Sequence, residues 1–281
     1  GGIDLWRSSD GGNTLSKISA WQYAPTSAHA DHHMIVEHPD YDGASNRRVY
    51  FANDGGVYEA NDARSVSIFT GWQELNNNYG VTQFYSGAGN SSGVLIGGTQ
   101  DNGTLAYDGD TETWYEIFGG DGTSAVADQE DTRWFYGSYQ WGHLFRWNRE
   151  TGSASLIYDG VTDVDNFTIN FIPPFVLDPN DQQRLFIGGQ SLWRTTNPRS
   201  AFPTWSAIKP AFGAYISAIG VAPNDSNRIY VGHNDGSLFR SVNGLSGSPT
   251  WERIDVPVSG ASPPNRFASE IAVDPDDSDR L

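Results

Sequence analysis

The stretch Ile219–Ser241, IGVAPNDSNRIYVGHNDGSLFRS, decides the fold. Three short runs rich in Val, Ile, Tyr and Phe are separated by Pro-Asn-Asp and Asn-Asp-Gly. The apolar and aromatic runs fit a pleated, half-buried strand, and the punctuating residues are turn formers. With a fourth run behind it, the segment predicts four strands: A over Ile219–Ala222, B over Arg228–Gly232, C over Ser237–Ser241 and D over Trp251–Asp255. None of the runs is long enough, or spaced at 3.6 residues, to read as a helix.

The same pattern recurs. MIVEHPDYDGASNRRVYFANDGGVYEA starts at Met34, FVLDPNDQQRLFIGGQSLWRT at Phe175, and IAVDPDDSDRL at Ile271. Weaker copies without the proline start at Phe84 and Ala125. A four-stranded unit repeating every roughly 40–50 residues is the period of a β-propeller. The expected fold class is therefore all-β, a β-propeller of four-stranded antiparallel blades, about six blades or a fragment of a larger propeller. The expected domain is a single propeller over 1–281, with a partial blade at 1–23, blades at 31–76, 82–118, 122–160, 170–208 and 215–256, and a partial blade at 267–281. The chain opens on a C–D pair and closes on an A strand, so the two ends are complementary in strand type.

Composition narrows the function. The chain has 281 residues, 13% of them aromatic, and a formal net charge of −17. An acidic surface without a Lys/Arg cluster argues against binding nucleic acid or anionic membranes. The absence of cysteine removes disulfide and thiolate chemistry. No apolar run is long enough to predict membrane insertion.

The turn SSDGGNTL, Ser8–Leu15, places Asp10 to accept hydrogen bonds from the following backbone and Gly11 and Gly12 to adopt positive φ. Degenerate copies are YDGDTETW with Asp108, Asp110 and Trp114, and SVNGLSGSPTW with Asn243 and Trp251. Trp72 and Trp205 hold the same place at the start of strand D. These tryptophans are expected to pack between sheets. The spacing S-x-D-x-G-x-T resembles the Asp-box, and the chain resembles secreted Asp-box (BNR-like) propellers: sialidases, xyloglucanase-type glycoside hydrolases and the sortilin ectodomain. It is most similar to uncharacterised bacterial members whose recurring motifs correspond here to Asp31–His33, Asn53–Tyr58, Thr82–Tyr85, Gly97–Thr104, Gly119–Gly122 and Pro173–Pro179. The resemblance implies a propeller placed outside the cell, on its surface or in the periplasm. It does not imply sialidase activity, because the Arg-Ile-Pro start of that group is missing.

Antiparallel strands reverse direction at each step, so all B–C loops and all D-to-A crossings of a propeller share one face. The acids and amides of this chain concentrate there. The B–C loops carry Asn53, Asp54, Gln100, Asp101, Asn102, Gln140, Trp141, Gln190, Asn234 and Asp235; the crossings carry Asp31, His32, His33, Asp121 and Asn170. Asp54, Asp101 and Asp121 are the candidate catalytic carboxylates, as a glycosidase needs one acid and one base or nucleophile. Tyr79, Tyr139 and Trp141 are candidates to stack on sugar rings. His32 and His33 are expected to line the site through hydrogen bonds. Asp31, Asp54, Asp101 and Asp121 offer the oxygens that Ca2+ prefers, while no metal-ligand spacing singles out a set.

These readings point to a ligand-binding propeller recognising glycan or polysaccharide on the B–C face, or a protein partner. A xyloglucanase-like glycoside hydrolase and a structural propeller in a larger assembly are the alternatives.

Overall fold

The structure is a computed structural model. It describes residues 2–77, 80, 82–109, 113–256 and 265–281; Tyr79 and Asp110, singled out above, lie outside the described residues. The chain divides into two compact units, Gly1–Thr82 and Gln83–Leu281.

The first unit holds a two-stranded hairpin, β1 (Trp6–Arg7) and β2 (Ser16–Lys17), and a four-stranded sheet. The sheet runs β3 (Met34–Glu37), β4 (Val49–Asn53), β5 (Gly56–Ala60) and β6 (Trp72–Glu74) in chain order. Ile18, Val49, Phe51, Tyr58, Ala60, Val66 and Trp72 form its core.

The second unit holds four more such meanders. They are β7 (Phe84–Gly89), β8 (Leu95–Thr99), β9 (Thr104–Tyr107) and β10 (Tyr115–Phe118); β11 (Ala125–Ala127), β12 (Trp134–Tyr139), β13 (His143–Asn148) and β14 (Ser153–Leu156); β15 (Phe175–Asp178), β16 (Asp181–Gly188), β17 (Leu192–Thr195) and β18 (Trp205–Lys209); and β19 (Ile216–Ala222), β20 (Asp225–His233), β21 (Leu238–Ser241) and β22 (Glu252–Arg253). One short helix, α1 (Thr162–Asp165), sits in the crossing after β14. All pairings are antiparallel, and a one-step meander leaves two neighbours for each inner strand. First strands of successive sheets touch: β7 with β11, β11 with β15, and β15 with β19. The apolar residues between the sheets form three clusters, centred on Phe135 and Trp147, on Leu144 and Ile187, and on Val231 and Phe239.

Within that frame two strands are longer than the runs suggested. β19 begins three residues earlier than Ile219, and β20 begins at Asp225, right after the turn at Pro223 and Asn224, and runs on to His233. The strand expected at Ile271 is absent: 265–281 carries no strand, because it finds no ladder partner among the described residues. Its Ile271 packs beside Gly220, and Asp274 and Arg280 close a turn.

Within each unit, side chains tie neighbouring sheets at recurring positions. The indole N–H of Trp72 donates to Ile18 O at 3.0 Å, that of Trp205 to Ile157 O at 2.7 Å, and that of Trp251 to Ile208 O at 2.9 Å. Trp114 departs from the expectation. It packs on Phe84 and Tyr107 of its own sheet and is 40% exposed, so no sheet-to-sheet tie is made there. A second tie was not recognised in the sequence. Arg7 on β1, Arg146 on β13 and Arg194 on β17 all follow a Leu-aromatic pair, and each donates to loop carbonyls of the following sheet: Ala63 and Val66, Ser200, and Gly244 and Ser246.

Candidate functional site

In the second unit the B–C loops and the crossings meet, as antiparallel connectivity requires. Two glycines allow the first meeting. A Cβ on Gly98 would lie 2.0 Å from Thr123 O, and one on Gly122 would lie 2.2 Å from Gly103 O; no side chain fits at either place. Gly103 N–H donates to Gly120 O at 2.8 Å. Asp101, at φ 60°, donates its N–H to Asp121 Oδ1 at 2.7 Å. Asp121 Oδ2 accepts from Gln140 Nε2 at 3.1 Å, and Asp121 N–H donates back to Gln140 Oε1 at 3.1 Å. Asp121 is thus the node between two loops, with both carboxylate oxygens in use. Its charge and that of Asp101 help burial push the Tyr85 phenol up. Gln100 donates its N–H to Gln83 O at 2.9 Å, and the Asn102 amide donates to Gln100 O at 3.0 Å.

Tyr139 and Trp141 are held by other aromatics. Tyr139 stacks on His143 at 4.4 Å and on Phe118 at 5.5 Å, which occupies the ring faces a sugar would need. Trp141, at φ 63°, meets Phe171 and Phe167 edge-on and donates its N–H to Phe171 O at 3.0 Å.

The second meeting leaves an open cleft. Gln190 and the Asn234–Asp235 loop face Gly213, Ala214 and Tyr215 of a crossing around a cleft of about 340 Å³. Backbone bonds from Asn234 N–H to Tyr215 O at 3.0 Å and from Gln190 N–H to Thr168 O at 2.9 Å hold the two loops. Asp235 Oδ1 accepts Ser237 N–H at 2.9 Å. The side-chain amides of Gln190 and Asn234 and the Tyr215 hydroxyl make no hydrogen bond among the described residues. Asn170 is not part of this lining: its amide donates to Ile216 O at 2.9 Å.

Asp163 is a support the sequence reading missed. It is 8% exposed, accepts Ser191 N–H at 2.9 Å and Trp193 Nε1–H at 2.8 Å, and bonds Thr168 Oγ1 at 3.0 Å. The length of the crossing between β14 and β15 was the signal available. Tyr215 was missed because it lies ahead of the run from Ile219 that reads as strand A.

In the first unit the predicted residues gather at the start of β3 and the β4–β5 turn. Asp31 has φ 57°, and one of its carboxylate oxygens lies within 4.8 Å of one from Asp54. Asp54 is paired with His33 Nε2. Asn53 Oδ1 accepts Gly55 N–H at 3.0 Å, while its buried Nδ2 has no partner. His32 corrects the expectation of a hydrogen-bonding lining residue. It is buried, neither ring nitrogen has a partner, and its ring meets Phe51 edge-on. Burial pushes its pKa down, which keeps the ring neutral.

The C–D turns lie apart from these loops. Asp10 accepts Thr14 N–H at 2.9 Å and Thr14 Oγ1–H at 2.7 Å. Asn243 does the same for Thr250 at 2.8 and 3.1 Å, and Asn197 for Thr204 at 3.0 and 3.4 Å. Asn197 and Thr204 repeat the spacing of Asn243 and Thr250, a signal the sequence carried.

No family model matches the chain, and no curated protein does. Among solved structures the chain is similar to the extracellular domain of a hybrid two-component system from B. thetaiotaomicron, at 13% identity and a TM-score of 0.51. The match covers 97% of this chain and 36% of that one. At that identity the likeness concerns the fold, and the chain spans about a third of the solved structure. Among the described residues no helix is long and apolar enough to cross a membrane.

Proposed function

We propose that the second unit is a ligand-binding, blade-repeat domain of the propeller type that recognises a glycan in the cleft between Gln190, Tyr215 and Asn234–Asp235. The observation that carries the reading is the set of unused polar groups lining that cleft. Two amides and a phenol offer donors and acceptors side by side, which suits sugar hydroxyls, since each hydroxyl both donates and accepts. A cleft of about 340 Å³ lies within the usual range for small-ligand sites. An extracellular, surface or periplasmic location and a glycan rather than another polyol are parts of the proposal. The hydrolase alternative is weaker, because both oxygens of Asp121 serve loop-to-loop hydrogen bonds. Asp31 and Asp54 bring carboxylate oxygens within 4.8 Å of each other, a donor set that suits a hard cation such as Ca2+.

The test is a glycan array followed by calorimetry on the full chain, with and without a chelator, alongside a hydrolysis screen. Binding without turnover is expected. Asn234→Ala and Asp235→Ala should each weaken binding by about 5- to 100-fold, as for loss of one hydrogen-bonding partner at about 1–3 kcal/mol. Turnover abolished by Asp121→Asn would replace this reading with the hydrolase; no binding to any glycan would leave a structural domain.

A further inference from the structure

Beside the cleft lie a buried lysine and a buried histidine, and one ring nitrogen of the histidine has no partner. Lys209 ends β18 and is 2% exposed; His233 ends β20 and is fully buried. Lys209 Nζ lies 4.2 Å from the Phe239 ring and 5.6 Å from the Phe212 ring. The His233 ring meets the same two rings, at 5.5 and 5.7 Å. His233 Nδ1 is 3.0 Å from Ala214 O, a residue of the cleft wall. A carbonyl can only accept, so the proton sits on Nδ1 and Nε2 presents a lone pair. That Nε2 is buried with no partner. The remaining charges nearby are engaged. Arg253, 5.4 Å over the Phe212 ring, is bonded to Asp255 at 2.8 Å, and Asp235 accepts Ser237 N–H.

Natural interiors seldom leave buried polar groups unmatched, and such groups mark strain, an unseen ligand or a catalytic role. Burial pushes the Lys209 ammonium down to about 8 and, with help from Lys209, lowers the His233 imidazole. The ammonium remains the predominant form at pH 7, and the imidazole is neutral. The pair therefore offers one cationic donor beside one acceptor. Phe212, 41% exposed, lies on the exposed segment 210–213, so turning its ring aside opens the way to both.

We propose that Lys209 and His233 recognise a hydroxy-carboxylate group on the ligand of the adjoining cleft, which makes that ligand an acidic glycan containing uronic acid. The ammonium takes the carboxylate, and Nε2 accepts the proton of the hydroxyl next to it. This rests on the reading of the cleft as a glycan site. The protein's acidity repels anions at long range, so selectivity for an acid has to come from a local cation such as Lys209.

The experiment is calorimetry of the full chain with a galacturonic acid trimer and with its neutral galactose counterpart. The acidic trimer should bind at least tenfold tighter, and Lys209→Met should bring the two within twofold without lowering the melting temperature. As a check that needs no variant, saturating acidic trimer should shift the Lys209 ε-methylene NMR signal, and the neutral trimer should leave it in place. Equal binding of both trimers overturns this inference and leaves the cleft reading standing. Acid preference that survives Lys209→Met, or acidic binding that leaves the Lys209 signal in place, overturns the assignment to Lys209. No binding of either trimer overturns this inference, and a blank glycan array besides overturns the cleft reading as well.

Discussion

Asp10 shows how a carboxylate is used when its role is local. Thr14's hydroxyl and N–H, with Ser8, hold the Asp10 carboxyl down to about 2. A carboxyl depressed in the folded state adds stability above the unfolded value near 4, and that stability is lost as pH falls through about 2. Asp10→Ala should therefore lower the melting temperature at pH 7, and the gap to the parent chain should close between pH 4 and pH 2. A gap independent of pH over that range would mean that the carboxylate's charge plays no part in the turn. Asp121 has the same side chain and a different task, joining two loops. The residue type announces neither role; what separates them is which N–H groups come within reach, one from the same turn and the other from a loop 20 residues away.

At the scale of an element, the repeat is built from ties between neighbouring sheets. The indole bonds of Trp72, Trp205 and Trp251 each bring a buried donor to a carbonyl of the preceding sheet. Trp251→Phe keeps most of the ring and removes the donor, leaving Ile208 O without this partner. It should cost about 1–2 kcal/mol, read as a lower urea midpoint at unchanged slope. No change would show that water replaces the indole. The tryptophans were legible as inter-sheet residues, since they recur at strand starts. Trp114 was not legible as the exception, because its surroundings, Phe84 and Tyr107, are decided by how its own sheet folds. The arginine ties were written in the Leu-aromatic-Arg spacing, but only the following loops show what the guanidiniums hold.

At the scale of the whole molecule, the chain forms two compact units, Gly1–Thr82 and Gln83–Leu281. Units with separate cores need not unfold together. Urea unfolding followed by tryptophan fluorescence and by far-ultraviolet circular dichroism should therefore give midpoints that do not coincide; superimposable curves would show a single cooperative transition. The all-β class, the four-strand period and the gathering of acids and amides at strand ends followed from the sequence alone. Alternation and turn chemistry are local, and antiparallel connectivity carries them to the same end of each sheet. Tertiary structure alone decided which of those polar groups stay unused. Asp121 and Asn170 are consumed by loop contacts, Gln190 and Asn234 are left facing a cleft, and Lys209 and His233, which read as ordinary strand ends, are buried beside it. The physical reason is that a hydrogen bond is satisfied by whatever lies about 3 Å away, and that neighbour comes from distant sequence.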